Sequence, residues 1–316
     1  MSELEELTAD ILGVSARAFE IRAMIEEARR SKEPVSLIGE KGTGKQLVAR
    51  CIHERSPRRV APFLMIDCSL YYERELQREL FGAPGGSSGK PDRKGLLEFA
   101  DGGSCYLTHI EELTPPLQYA LRDYLAEGRF RRFGDGAPIR SEARVITASD
   151  RNLDGFVSGG LFDGELHGLL AAHRFEMPPL RERQDDIPHI VEALTREYAG
   201  RRGALPATAF SPQAMEALQA YPWPDNLDEL KQEVIRLLER GGESVGPESL
   251  RMEIANYWFG QKGDPEIRRA IEEIDGHIRE FRVMGRLNRE FGPITESVFG
   301  EESASRDCYR MMIDGH

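Results

Sequence analysis

Residues 39–46 read Gly-Glu-Lys-Gly-Thr-Gly-Lys-Gln, a combination suited to holding phosphate. Gly39, Gly42 and Gly44 allow backbone N–H groups to turn inward around phosphate oxygens. A helix starting here adds the positive end of its dipole, and Lys45 adds a point charge. The GxxxxGK pattern carries this meaning when it lies between a strand and a helix. The apolar run 35–39 predicts a buried strand and 45–54 predicts a helix, so the context is met. The candidate site is Gly39, Glu40, Lys41, Gly42, Thr43, Gly44, Lys45 and Gln46. Gln46 stands where many such loops place a Ser or Thr hydroxyl for magnesium.

The loop needs a scaffold, and the surrounding pattern supplies an α/β one. Apolar runs at 63–67, 105–110 and 144–149 predict further strands. Residues 73–80, with Leu76 and Leu80 four apart, and 115–127, with prolines in the first turn, predict helices between them. Strands alternating with helices indicate a mostly parallel sheet covered on both faces. From about residue 185 the strands stop, and 186–198, 212–220 and 227–240 read as three helices of a small subdomain. The segment 265–290 has helical spacing through Ile267, Ile271, Ile274, Ile278 and Phe281, and 292–316 reads as loop or short helix. The expected division is 1–180 for the α/β part, 181–245 for the helical part and 246–316 for a helical extension.

Bulk properties narrow the function classes. The 316 residues are 40% hydrophobic and 30% charged, with a net charge of −12, the composition of a globular protein. No stretch approaches the ~20 apolar residues of a membrane helix, and the acidic start lacks the order of a signal peptide. The expectation is a cytoplasmic protein with no membrane partner. An acidic chain has little with which to neutralise nucleic-acid phosphates, which argues against direct DNA binding. The short basic run 129–132 reads as a solvated face. Cys51, Cys68, Cys105 and Cys308 form no CxxC pair, so reduced structural thiols are expected. Cys105 and His109 share a parity along one strand, but two residues do not make a metal site.

The order of motifs resembles the central AAA+ domain of bacterial enhancer-binding proteins, the activators of sigma-54 RNA polymerase. The similarity rests on Gly39–Gln46 with Leu47-Val-Ala-Arg-Cys-Ile-His53 and Ser56-Pro-Arg58, then Glu79-Leu-Phe-Gly82 and Asp101-Gly-Gly103. It continues through Pro178-Pro-Leu-Arg-Glu-Arg183, Asp186-Ile-Pro188 and Tyr221-Pro-Trp-Pro-Asp-Asn-Leu-Asp-Glu-Leu230. The resemblance implies a three-layer αβα fold with sheet order 5-1-4-3-2, a helical lid, a tendency to form rings, and ATP or ADP, with or without magnesium, on the loop. It also places Asp185-Asp186 in a structural signature rather than an acid–base pair.

Against that family pattern, this chain departs at the positions that hydrolyse. Thr108 and His109 occupy the places of the Asp-Glu pair that holds magnesium and orients water. Asp150 replaces the sensor asparagine, Asp163 and Leu169 the two arginine fingers, and Asp228 the sensor arginine of the lid. A hydroxyl and an imidazole are poor substitutes for a hard carboxylate pair around magnesium, and an arginine finger can be worth ~10³–10⁵ in rate. Carboxylates at 150, 163 and 228 make the pocket inhospitable to a γ-phosphate. The family's GAFTGA loop is replaced by the shorter glycine-rich interval 83–94, which argues against direct remodelling of the polymerase. No helix-turn-helix is evident in 268–290. The expected function is therefore that of a degenerate regulator, a pseudo-ATPase that binds nucleotide and acts by association with itself, a protein partner or an intact AAA+ relative. Two alternatives stand beside it: a structural assembly protein with a relic pocket, and a weak ATPase in which His109 or Glu111 orients water.

Overall fold

A computed structural model of the chain describes residues 13–85, 92–132, 137–202, 209–242 and 244–262. The first twelve residues, the centre of the 83–94 interval at 86–91, the segments expected at 265–290 and 292–316, and Cys308 lie outside the described residues. The chain divides into two compact units, Met1–Arg251 and Met252–His316. The second contributes the helix Met252–Lys262. Among the described residues, no helix is long and apolar enough to cross a membrane.

Five parallel strands form the sheet: β1 (Val35–Ile38), β2 (Phe63–Asp67), β3 (Ser104–Thr108), β4 (Arg144–Ser149) and β5 (Arg174–Glu176). They lie in the order β2-β3-β4-β1-β5, the 5-1-4-3-2 arrangement. Successive residues of a strand face opposite sides, and both sides here are apolar. Cys105, Leu107 and Val145 join one core, while Tyr106, Ile146 and Ala148 join the other. A sheet buried on both faces needs two helical layers. Helices α1 (Ala16–Ala28) and α2 (Lys45–Glu54) close one side through Ile21, Ile25, Val48 and Ile52. Helices α3 (Glu73–Phe81), α4 (Pro115–Glu127) and α5 (Gly164–Leu170) close the other through Leu76, Leu80, Leu117, Leu121 and Leu166.

The helical subdomain consists of α6 (Ile187–Arg202), α7 (Pro212–Ala220) and α8 (Asn226–Arg240). Trp223 is fully buried before α8, its indole N–H donating to the Leu218 carbonyl at 2.7 Å and its ring meeting Tyr221 edge-on at 5.1 Å. Asp186, at the entry to α6, is also fully buried. Its carboxylate accepts from the Val14 and Ser15 amides and the Ser15 hydroxyl, each at 2.7 Å. Asp186 therefore ties residues 14–15 to the entry of the lid, a structural role, while Asp185 is exposed.

Three sequence expectations need correction. The third strand ends at Thr108 and not at 110, because His109 takes a left-handed backbone (φ 53, ψ 49) and Ile110–Glu112 forms a 3-10 turn. Cys105 and His109 consequently share no strand face: Cys105 is buried in the core and His109 sits on the rim. The basic run at 129–132 is a solvated face at Arg129 and Arg131, both exposed, although two of its arginines are paired. Arg129 pairs with Glu127 at 2.6 Å, and Arg132 binds Glu98 at 2.8 and 2.9 Å and also contacts Asp92. Strands do not stop entirely at 185 either, since Ala209–Phe210 pairs with Ser244–Val245.

Leu107 lies on a central strand with no exposed surface. Leu107→Ala should lower the free energy of unfolding by about 2–5 kcal/mol, whereas Val60→Ala, at an exposed loop position, should change it by under ~0.5 kcal/mol. Urea unfolding followed by circular dichroism measures both.

Candidate phosphate-loop site

The glycine loop, Lys45, Asp67, His109 and Asp150 gather at the carboxyl ends of the parallel strands, where open α/β sheets place ligands. The loop leaves β1, is pinned by the Gly39 amide donating to the Ser149 carbonyl at 3.1 Å, and enters α2 through Gly44 in a left-handed conformation. The first-turn amides of α2 have no acceptor within the helix, so they are available to an anion. Thr43 braces the loop from inside, its hydroxyl donating to the Glu40 carbonyl at 2.8 Å.

Lys45 is the centre of the site, its side chain only 8% exposed. Its ammonium donates to the Gly39 carbonyl at 2.6 Å and the Glu40 carbonyl at 2.9 Å, and forms an ion pair with Asp150 Oδ1 at 2.7 Å. An ammonium has three N–H bonds, and three oxygens of its own chain already surround it. Asp150 has polar neighbours on its other side as well. Its second oxygen lies 3.6 Å from His109 Nε2, and its amide donates to Glu111 Oε1 at 3.2 Å.

The line of polar groups continues to the edge of the sheet. His109 Nδ1 lies 2.8 Å from Asp67 Oδ1, and since an ionised carboxylate only accepts, the proton belongs on that nitrogen. The same oxygen receives the Ser69 amide at 2.9 Å and the Ser69 hydroxyl at 2.7 Å. Burial alone would raise the Asp67 carboxyl, but the hydrogen bonds from Ser69 and His109 outweigh it and hold the group below its ordinary range. Glu111, buried in the 3-10 turn, keeps its Oε2 without a hydrogen-bond partner. The ends of β1, β2, β3 and β4 are thus linked in the order Lys45–Asp150–His109–Asp67.

The lid is fastened directly onto the loop. Arg181 grips Glu40 with two bonds of 2.6 and 2.8 Å, and Arg183, itself buried, donates to the Thr43 carbonyl at 2.9 Å. Asn226, the first residue of α8, donates to the Lys41 carbonyl at 2.9 Å and Glu40 Oε2 at 3.2 Å, and accepts the Leu180 amide at 2.7 Å. The Leu227 amide donates to the Gly42 carbonyl at 2.9 Å. The approach is so close that a Cβ on Gly42 (φ +75) would stand 2.2 Å from the Asp225 carbonyl oxygen. Only glycine serves there, for both space and backbone angle.

The remaining substituted positions have local structural duties. Asp163 caps α5, accepting the Leu166 amide at 2.8 Å, and faces Arg122 at 3.8 Å. Asp228 is exposed in the first turn of α8, where a carboxylate suits the helix dipole. Leu169 is half-buried on α5. Cys51, Cys68 and Cys105 are buried free thiols, and burial pushes Cys68 up to about 12. The loop fits a phosphate anion: it offers the N-terminal amides of α2 beside a buried ammonium. The donors around it do not fit magnesium. Gln46 turns its amide to the Met65 sulfur at 3.6 Å, Asp67 Oδ1 already takes three donors, and Asp150 is engaged by Lys45. Among the described residues no group of three His, Cys, Asp or Glu side chains is arranged to hold a metal.

Sequence reasoning found the loop and the substituted positions but passed over Asp67, Arg181 and Arg183 as neighbours of the site. Asp67 closes a plain apolar run, and the two arginines sat inside a motif read only for its resemblance. Their placement depends on strand register and lid docking, which no local signal reveals.

The Arg181 guanidinium, with Asn226 helping and burial opposing, holds the Glu40 carboxyl below its ordinary 4.5. A depressed carboxyl contributes stability that is fully present above the unfolded value and is lost as pH falls through the folded one. Glu40 is 44% exposed, so solvent screening keeps the contribution to about 0.5–1 kcal/mol. Glu40→Gln should therefore be less stable than the parent by that amount at neutral pH, with the difference closing as the pH drops below about 4. Thermal melts across pH 3–7 would read this; a gap that stays constant down to pH 3 would contradict it.

Comparison with known proteins agrees with this geometry. The family described as "Sigma-54 interaction domain" matches residues 11–176, and "AAA+ ATPase lid domain" matches 181–259. A Nif-specific regulatory protein from Herbaspirillum seropedicae is 35% identical over 224 residues, covering 70% of this chain and 41% of that protein. Among solved structures, NtrX from Brucella abortus in complex with ADP superposes with a TM-score of 0.73 at 26% identity, covering 96% of this chain and 69% of that one. Its complex with ATP gives 0.69 at 28% identity, covering 89% and 63%. The chain spans about half the length of the curated relatives it matches. With the strand order, the phosphate loop and the lid all in place, the chain belongs to the sigma-54 interaction domain family of AAA+ proteins.

Proposed function

We propose that this chain is a pseudo-ATPase regulator. It holds a nucleotide on Gly39, Glu40, Lys41, Gly42, Thr43, Gly44, Lys45 and Gln46, turns it over poorly or not at all, and acts by association with other proteins in the cytoplasm. The observation that carries this reading is the Lys45–Asp150 ion pair at 2.7 Å, backed by His109 and Asp67. The groups standing where a metal and an attacking water belong are bonded to one another. His109 spends its Nδ1 proton on Asp67, and Glu111 is buried with Oε1 facing the Asp150 amide, which counts against a weak ATPase built on either. NtrX, a structural neighbour, has been solved with ATP and with ADP, which favours a nucleotide here.

Residues 1–180 would form the nucleotide-binding part, 181–245 the lid and 246–316 an extension for contacts. The lid bonds to Glu40, Lys41, Gly42 and Thr43 give a bound nucleotide a route to lid position and so to a partner surface. That partner is a further copy of the chain or an intact AAA+ relative, whose turnover a neighbour without an arginine finger would stall; the family's place in sigma-54 transcription is the setting. A second reading, a structural assembly protein with a relic pocket, draws on the same three oxygens that already satisfy Lys45.

Titration calorimetry with ATP and ADP, with and without magnesium, on the intact chain and on Lys45→Ala separates the two. Binding that weakens at least ~10-fold in the variant, with no phosphate released over hours, is the expected result. No binding to the intact chain would select the relic-pocket reading, and steady phosphate release would overturn both.

A further inference from the structure

We infer that the phosphate-loop site is selective for a nucleoside diphosphate over the triphosphate, needs no divalent cation, and owes this selectivity to Asp150. The inference rests on the nucleotide-holding reading above and names the ligand class of that site.

A phosphate loop divides its work. Backbone N–H groups cradle the α- and β-phosphates, while the lysine reaches toward the β- and γ-phosphates. The backbone half is untouched in this chain, with the glycines in place and the first-turn amides of α2 free of helix acceptors. The lysine half is occupied. Asp150 Oδ1 sits 2.7 Å from Lys45 Nζ, and two loop carbonyls take the remaining positions at 2.6 and 2.9 Å.

A third phosphate would have to enter where a carboxylate already stands, and it would bring like charge against it. Asp150 has little scope to withdraw. His109 Nε2 lies 3.6 Å from its other oxygen, His109 is anchored on Asp67, and buried Glu111 faces its backbone amide. Any movement away from Lys45 would also strip an ion pair from an ammonium that is almost fully buried, a costly exchange. Magnesium ordinarily offsets the added charge of a triphosphate. Here Thr108, His109 and Gln46 supply no carboxylate, and the nearby Asp67 and Asp150 are already engaged. A diphosphate avoids these conflicts because its terminal phosphate remains within reach of the loop amides.

The test is calorimetry on the full chain with ADP and ATP, in magnesium and in EDTA, for the parent, Asp150→Asn and Asp150→Ser. The parent should bind ADP at least ~10-fold more tightly than ATP, with magnesium changing either affinity by less than ~3-fold. Asp150→Asn keeps the shape and removes the charge, and should narrow the ADP preference to within ~3-fold by strengthening ATP. Asp150→Ser should act in the same direction and gives a second route if the amide variant folds poorly. ATP binding as tight as ADP in the parent would overturn the inference while leaving the nucleotide-holding reading intact. An unchanged preference in both folded variants would overturn the role of Asp150. Failure of the parent to bind either nucleotide would overturn the underlying reading and this inference with it.

Discussion

A buried ammonium must be surrounded by oxygen, and in an open α/β sheet the oxygen ordinarily arrives with the ligand. Here Lys45 finds it inside the chain, from two loop carbonyls and from Asp150. Much of the site follows from that contact. With Asp150 drawn toward β1, His109 lies between it and Asp67, and the ends of four neighbouring strands become one line of polar side chains. A pocket that in a hydrolase must wait for substrate, metal and water is in this molecule largely satisfied before anything binds. The lid closes over the same loop through Arg181, Arg183, Asn226 and Leu227, so the phosphate site and the position of the lid are mechanically joined.

On the pseudo-ATPase reading, the positions that depart from the family pattern carry structural duties instead. Asp163, at an arginine-finger position by resemblance, caps α5 and faces Arg122. His109 ends its strand with a left-handed backbone, and that turn carries its ring toward Asp67 and Asp150. A carboxylate placed at 109 would stand beside Asp67 and Asp150. Like charges at such distances oppose one another strongly in a partly buried site.

The fold was legible where pattern is local. The apolar runs at 35–39, 63–67 and 144–149 and the helix at 115–127 appear where periodicity placed them, and the glycine loop announced its own conformation. The strand order came from family resemblance. Three-residue β5 carries too few positions to show a period, and α1 shows little amphipathic contrast, so neither was evident. The candidate site was half legible. Residue types showed where the chain departs from the family pattern, at 108, 109, 150, 163 and 228. What replaced it, the Lys45–Asp150–His109–Asp67 connection, depends on the register of four strands that meet only in the folded sheet.

The most direct measurement of the central contact is a double-mutant cycle on stability, using Lys45→Met, Asp150→Asn and the pair together in nucleotide-free protein. If the two side chains satisfy each other, the changes will be non-additive, with a coupling of about 1 kcal/mol or more. Additivity within ~0.5 kcal/mol would mean that Lys45 does not depend on Asp150, and the account of a self-satisfied phosphate site would not stand.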